Sequence, residues 1–375
     1  MAKDINKDKF DEATKLKLQI FGDSFIEWLP VFLHDRYTTA VHIFDFFAGS
    51  GTDPDGNLGS PLILLNKAKG ENKHYCSNAK TKITFLFNEG MVRKSNQLQE
   101  NTYRFIEQCK RENNCETCVY QHQILNDNFQ ELFNDISLRH IFQDKKIAKF
   151  VLLDQYGFKQ INDDIFKQLI SFPKTDFIFF ISSSFVRRFK EHPHTKKYID
   201  TTKINFEDEN PNKIHRTIAN YFRSLIPEKQ EYYLHHFSIK KGSNYYGLIF
   251  GSNHTLGMEK FLKVCWKYDT FSGEANYNID NNHEEGTLFF QEDHSVKKDE
   301  LTKEIREKIL SGEITNNKIG LKYTLNKGCL PQVFTNVVKE LEKKGLIKRT
   351  GTLNYRSTNI HKVPQYFITR LSNDK

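Results

Sequence analysis

Residues 41–65, VHIFDFFAGSGTDPDGNLGSPLILL, read as a strand, a glycine turn, a loop and a helix in succession. The stretch begins as an apolar run holding one acid, Asp45, breaks at Ala48-Gly49-Ser50-Gly51, and resumes as a leucine-rich segment after Ser60-Pro61. Small residues at the end of a first strand let a ligand approach the backbone where an open sheet parts. The next helix N-terminus faces the same crevice. Pro61 suits the first helical position, and Ser60 is predicted to cap it.

Working outward, Leu18, Phe21, Phe25, Trp28, Leu29 and Phe32 share one face of a helix within residues 8–34, which predicts a packing helix laid on the sheet. Downstream, four more strands alternate with helices. They are ITFLFNE (83–89), VYQHQIL (119–125), AKFVLLD (148–154) and DFIFFIS (176–182), with helices at 60–66, 93–110, 128–142 and 163–172. That alternation predicts an α/β protein with a parallel sheet covered on both faces. The pattern changes at about 185–228, a charged stretch broken by Pro193 and Pro211, which reads as a helical insertion or lid. YYLHHFSI and YYGLIFG then flank KKGSN, where Gly242 and Asn244 tolerate positive φ. Parallel strands cannot be joined so briefly, so the last strand must run antiparallel. A helix over 256–268 closes a body spanning 1–269. The whole is a Rossmann-like sheet, parallel with an antiparallel last strand, which fits class I S-adenosylmethionine-dependent methyltransferases better than all-parallel dehydrogenases.

Residues 270–296 are polar, acidic and aperiodic and read as a connector. Beyond them, 297–375 have the layout of a winged helix-turn-helix. Helices are expected at 300–310, at 317–325 after Thr315 as cap, and at 330–344 before Gly345. In the third, Val333, Phe334, Val337, Val338 and Leu341 form the apolar stripe, leaving Gln332, Thr335, Asn336 and Lys339 outward. Two strands around a basic turn, with Lys348 and Arg349, follow as the wing. Such modules set the third helix in a DNA groove and the wing on the backbone. Of a net charge of +8, this tail holds 17 Lys+Arg against 8 Asp+Glu, while residues 1–296 hold 38 against 39. The basic excess is therefore local, as in a nucleic-acid-binding appendage. Glu340 and Glu342 keep open the alternative of a protein-contact module.

The N-terminus MAKDINKDKFDE is charged and no apolar run approaches the ~18 residues of a membrane span, so a soluble cytoplasmic protein without a membrane partner is expected. Six cysteines in 375 residues suit reduced thiols. Cys109, Cys115 and Cys118, spaced C-x5-C-x2-C, read as free thiols near a helix end. The alternative is a structural zinc site completed by Cys76, His74 or His122. The pair His235-His236 falls on opposite strand faces, and Arg187-Arg188 reads as an exposed basic helix start.

Four points fall at the carboxyl ends of the parallel strands: Asp45 to Gly51; Glu89, placed to accept from ribose hydroxyls; Asn126-Asp127, placed for an adenine edge; and Asp154-Gln155-Tyr156-Gly157. DFFAGSG is similar to the glycine-rich motif of nucleic-acid methyltransferases. More narrowly, TKLKLQIFGDSFIEWL, DFFAGSG with GSPLILL, LLDQYG, YYGLIFGSNHTLGMEKFL and the terminal module resemble the three-Cys-motif partner (TcmP) proteins over nearly the whole chain. The resemblance implies an S-adenosylmethionine site at Asp45, Ala48, Gly49, Ser50, Gly51, Glu89 and Asp127. It implies a target site at Asp154 and Tyr156, where the aromatic would stack on an extruded base. Gln155 stands where the family usually shows proline, which frees φ and predicts a less rigid loop. Two readings follow. One is a nucleic-acid methyltransferase with a DNA-binding winged helix. The other is a catalytically degenerate body serving a DNA or protein partner in a phage-defence or mobile-element system.

Overall fold

The computed structural model describes residues 9–70, 75–76, 81–155, 157, 159–206, 210–281, 295–351 and 363–371. At its centre is a seven-stranded sheet of order β3-β2-β1-β4-β5-β7-β6. The strands are β1 (Ala40–Asp45), β2 (Lys82–Asn88), β3 (Gln121–Leu125), β4 (Ile147–Leu153), β5 (Thr175–Ile181), β6 (Tyr233–Lys241) and β7 (Asn244–Ser252). β1 lies between β2 and β4, parallel to both, so chain order reverses at the carboxyl end of β1. Open α/β sheets take ligands at such a switch point. β7 is antiparallel to β5 and β6, as the short connection required. The register Lys241↔Asn244 leaves a two-residue turn, in which Gly242 takes a φ of 57° while Asn244 already belongs to the strand.

Successive strand residues face opposite sides, and both sides are apolar. Ile43, Phe85 and Ile178 enter one core with Phe21, Phe25 and Leu62. Phe44, Leu86 and Phe179 enter the other with Phe142, Phe166 and Phe222. Helix α1 (Glu12–Leu33), capped by Asp11 on the Thr14 N–H, buries Leu18, Ile20, Phe21, Phe25, Trp28 and Leu29. At about 1.5–3 kcal/mol per large apolar side chain removed from water, α1 is integral to the body. Trp28 Nε1 also donates to the buried Asp176 (2.8 Å).

Further body helices are α2 (Ser60–Ala68), α3 (Val92–Asn113), α4 (Phe129–Phe133), α5 (Ile136–Gln143), α6 (Asp163–Ser171), α7 (Ser183–Arg188), α8 (Pro193–Lys196), α9 (Ile214–Ser224) and α10 (Thr255–Tyr268). The single helix expected over 128–142 is two, because the Asp135 side chain accepts the Leu138 N–H and caps a new start. Residues 270–281 form neither helix nor strand but are tied to the body. Asp269 accepts the N–H groups of Phe271, Ser272, Glu274 and Ala275, and Ala275 bridges Ser238 of β6.

The tail contains α11 (Val296–Leu310), α12 (Asn317–Asn326), α13 (Gln332–Lys343) and the antiparallel pair β8 (Ile347–Thr350) and β9 (Phe367–Arg370). Asn316, not Thr315, caps α12 by accepting the Ile319 N–H. Its apolar residues merge with one core of the body, and Trp266 of α10 donates to Gly328 O (2.9 Å).

Candidate functional site

The glycine turn sits at the switch point in a conformation that needs glycine: Gly49 and Gly51 have φ of 65° and 84°. A Cβ on Gly51 would also come 3.0 Å from Leu98 of α3. Ala48 N–H donates to Asn88 O, and Gly59 N–H to Gly51 O, which pins both ends of the loop. Gly49 N–H donates to Glu89 (3.0 Å), whose other oxygen accepts Met91 N–H (2.9 Å). Thus the acid ending β2 and the glycine turn after β1 meet directly. Asp45 is fully buried beneath them. Burial, with the Asp154 charge adding to it, pushes its carboxyl up to about 7 against the Ser60 hydroxyl bonded to it at 2.5 Å. The predicted capping role of Ser60 is therefore corrected: Gly59 is the cap position and makes no side-chain bond, because the Ser60 hydroxyl is turned to Asp45. Asp127 is exposed, with its N–H held by Asn88 Oδ1. Asn88 is a residue the sequence reading missed. It is buried and donates to Phe46 O and Asp127 O, tying three strand ends together. An amide closing an otherwise apolar strand was the available signal.

After β4, Asp154 is ion-paired with Lys17 of α1 (2.5 Å), and both are largely shielded. Lys17 also lies 4.8 Å from the Phe180 ring centroid. Nothing in the sequence joins Lys17 to a residue so far along the chain. Gln155 is buried and staples the loop, donating to Phe180 O (3.2 Å) and accepting from the N–H groups of Gln160 (2.8 Å) and Ile161 (3.3 Å). The looseness predicted from the missing proline is thus offset by three side-chain bonds. Tyr156 lies outside the described residues.

No protein-family model matches the chain, and no curated protein matches it. Solved structures resembling it include methyltransferases. The METTL16 methyltransferase domain is 10% identical over 61% of this chain and 66% of that one, at a TM-score of 0.29. The small RNA methyltransferase HEN1 is 11% identical over 62% and 25%, at 0.31. M. jannaschii TYW2 in complex with AdoMet is 12% identical over 66% and 78%, at 0.30. This chain therefore spans under two thirds of the first two. Superpositions this loose decide nothing about its chemistry.

In the tail, Gln332, Asn336, Lys339 and Lys348 are exposed. Thr335 is not: it is fully buried, with its hydroxyl bonded to Pro331 O and Gln332 O. Its place beside Phe334 turns it inward, so its predicted outward role is corrected. Arg349 is half-buried, paired with Glu342 (3.1 Å) and set over the Tyr366 ring. Cys109 and Cys115 both contact Asn113, Cys76 contacts the Tyr120 hydroxyl, and burial raises the Cys76 and Cys118 thiols. Among the described residues no three His, Cys, Asp or Glu side chains are grouped to hold a metal ion; His74 lies outside those residues. No helix among them is long and apolar enough to cross a membrane.

Proposed function

We propose that this chain is an S-adenosylmethionine-dependent nucleic-acid methyltransferase of the TcmP kind, with a body over 1–269 and a DNA-binding winged helix over 297–375. The reading is carried by the glycine turn at the switch point, bonded through Gly49 N–H to Glu89 at the next strand end. The residues fit the cofactor. The positive-φ glycines at 49 and 51 let the turn bend where a side chain would be strained, and at 51 would press on Leu98; Glu89 is an acceptor for ribose hydroxyls, and the exposed Asp127 is in position to meet an adenine edge. When bound, S-adenosylmethionine supplies a methyl group on a sulfonium. The chain's part is positioning and exclusion of water. Gln155 holds the loop, Asp154 accepts the N–H of an extruded base, and Tyr156 stacks on it.

One observation favours the second reading, a body that binds without transferring: Lys17 already satisfies Asp154. The deciding experiment is calorimetry of S-adenosylmethionine with wild type and Gly49→Asp, followed by labelled methyl transfer to DNA and RNA. Wild type is expected to bind, and Gly49→Asp to bind at least ~10-fold more weakly, since an added side chain strains the turn. Absence of wild-type binding removes the proposal. Binding without transfer, unrelieved in Lys17→Ala, selects the partner-protein reading.

A further inference from the structure

We propose that the amino edge of the sheet, where Arg36, Lys82, Lys145 and Lys146 gather at the starts of β1, β2 and β4, binds the phosphate backbone of duplex nucleic acid. The inference deepens the proposed function and rests on its nucleic-acid partner, not on its cofactor. The three strands start level. Ala40 is paired with Lys82 on one side and with Ile147 on the other, and Thr39 N–H donates to Lys146 O (2.9 Å). Cations from three separate segments of chain therefore meet across two strand spacings of about 4.8 Å each. All four are exposed, and among the described residues none of them is in an ion pair. Arg36 lies over the ring of the exposed Tyr37, 4.8 Å from its centroid, which orients the guanidinium without neutralising it. The carboxylates beside the four in the chain are Asp35 and Asp144. Asp35 is taken by Lys174 (2.8 Å) and the Thr38 hydroxyl (2.7 Å). Asp144 accepts the Lys146 N–H (2.7 Å) and offsets one charge of the four, leaving an excess of three. Outside the described residues, Glu71-Asn72-Lys73-His74 and Ser77-Asn78-Ala79-Lys80 precede Lys82 with two lysines against one acid.

Helix C-termini at this edge favour cations, which accounts for Arg36 after α1 and for Lys145 and Lys146 after α5. It does not account for Lys82, which opens a strand. His42 registers the resulting field: its ring is held down to about 4, first by burial and then by the Lys82 and Lys149 charges. The tail is anchored at the same edge. β6 runs parallel to β5, so its start lies there, and Lys322 of α12 is paired with Glu231 just before it (2.6 Å). From β4 to β6 the order β4-β5-β7-β6 makes three strand spacings, about 14 Å, or roughly four base pairs at about 3.4 Å each. A duplex seated on the winged helix and lying along the edge has only that distance to cover before its backbone meets Lys146. The cofactor crevice, at the opposite edge, is left uncovered. Summed along the sequence, residues 1–296 hold 38 Lys+Arg against 39 Asp+Glu, and this balance hides a patch that folding assembles from positions 36, 82, 145 and 146.

The test uses the full chain and a fluorescein-labelled DNA duplex of about 30 base pairs and mixed sequence, read by anisotropy over a salt series. Arg36→Gln/Lys82→Gln/Lys145→Gln/Lys146→Gln is expected to bind at least ~10-fold more weakly at low salt. Its log–log salt slope should be shallower by about 3–4, at roughly 0.9 for each phosphate that is no longer neutralised. Lys82→Glu alone, a single exposed change, should already weaken binding by ~3-fold or more. Lys82→Arg/Lys145→Arg/Lys146→Arg keeps the charges and should bind within twofold of wild type. An affinity of the quadruple variant within twofold of wild type, at an unchanged slope, overturns the proposal, as does absence of duplex binding by wild type. Tighter binding of phosphatidylserine vesicles than of the duplex, lost in the same variant, would make the edge a membrane surface and also overturns it. Lys339→Gln/Lys348→Gln on the same duplex separates the two DNA claims. Weakening in that variant but not in the edge variant removes this inference and leaves the winged-helix reading; weakening in the edge variant alone does the reverse. S-adenosylmethionine calorimetry on the same samples reads the cofactor separately, so wild type that binds the duplex but not the cofactor loses the methyltransferase reading and keeps this surface.

Discussion

Asp45 illustrates how burial and a neighbouring charge act together on one acid. It is sealed below the glycine turn, bonded to Ser60 and repelled by Asp154, and its carboxyl titrates near 7 rather than 3.8. The folded chain therefore holds this proton more tightly than the unfolded chain. The stabilisation is complete below about pH 4 and is lost as pH rises through 7, because the folded state must then bury a charge. Three pH units at 1.36 kcal/mol each set an upper bound of about 4 kcal/mol. Asp45→Asn keeps an acceptor for Ser60 and cannot ionise. Denaturant unfolding of both proteins should show the variant gaining roughly 2–4 kcal/mol on wild type between pH 4 and pH 8. Parallel stability curves would mean that Asp45 is charged in the fold. The sequence shows an acid in an apolar strand, but its burial comes from α2 folding back, and the residue that does this, Ser60, reads locally as a cap.

At the scale of elements, the loop after β4 shows where local reading stops. Loss of a proline predicts a looser loop, and that is correct for the backbone alone. The structure restores rigidity through Gln155, whose amide spans from β5 to the start of α6. Gln155→Ala leaves a buried carbonyl and two N–H groups without these partners, at about 1–3 kcal/mol. Hydrogen exchange at Gln160 and Ile161 should accelerate by about 5–150-fold, while exchange in β1 stays unchanged. Unaltered exchange at those two amides would show that the loop does not depend on Gln155. The alternation of strands and helices along the chain, the antiparallel β7 and most helices were legible because each rests on local periodicity or turn length, whereas the order of strands within the sheet does not. The break between α4 and α5 was missed because an internal Asn-Asp pair reads equally as helix surface or as a new cap. Lys17 with Asp154, and Thr335 turned inward, depend on contacts or on an angular margin of one residue, which periodicity does not resolve.

Across the whole molecule, Glu274 joins parts that the sequence separates into body, insertion, connector and tail. It is 8% exposed, paired with Arg216 of α9 (2.6 Å) and Lys297 of α11, and lies 3.6 Å from His236 of β6. Burial works to raise its carboxyl, but Lys297, His236 and Arg216 together hold it well below the usual range. Its folded-state pKa is thus depressed, so its contribution is present above about pH 4.5 and is lost as pH falls further. A polar, aperiodic stretch reads as a connector because none of these partners lies within a helical turn of it. Glu274→Gln takes the carboxylate from Lys297, while Arg216 keeps Asp280 (3.0 Å), and breaking a buried network from one side costs about 3–5 kcal/mol. Since Lys297 opens α11, the loss should fall first on the docking of the tail. Hydrogen exchange at pH 7 is expected to show α11 and α12 deprotected in Glu274→Gln while β1, β4 and β5 keep their protection, and the variant should show a shallower acid-side decline than wild type between pH 5 and 3, the rest being carried by other paired carboxylates such as Asp23 and Asp280. Uniform deprotection of sheet and tail would instead make Glu274 part of a single cooperative core, and unchanged exchange would show that the tail is held by the Trp266–Gly328 contact and apolar packing alone.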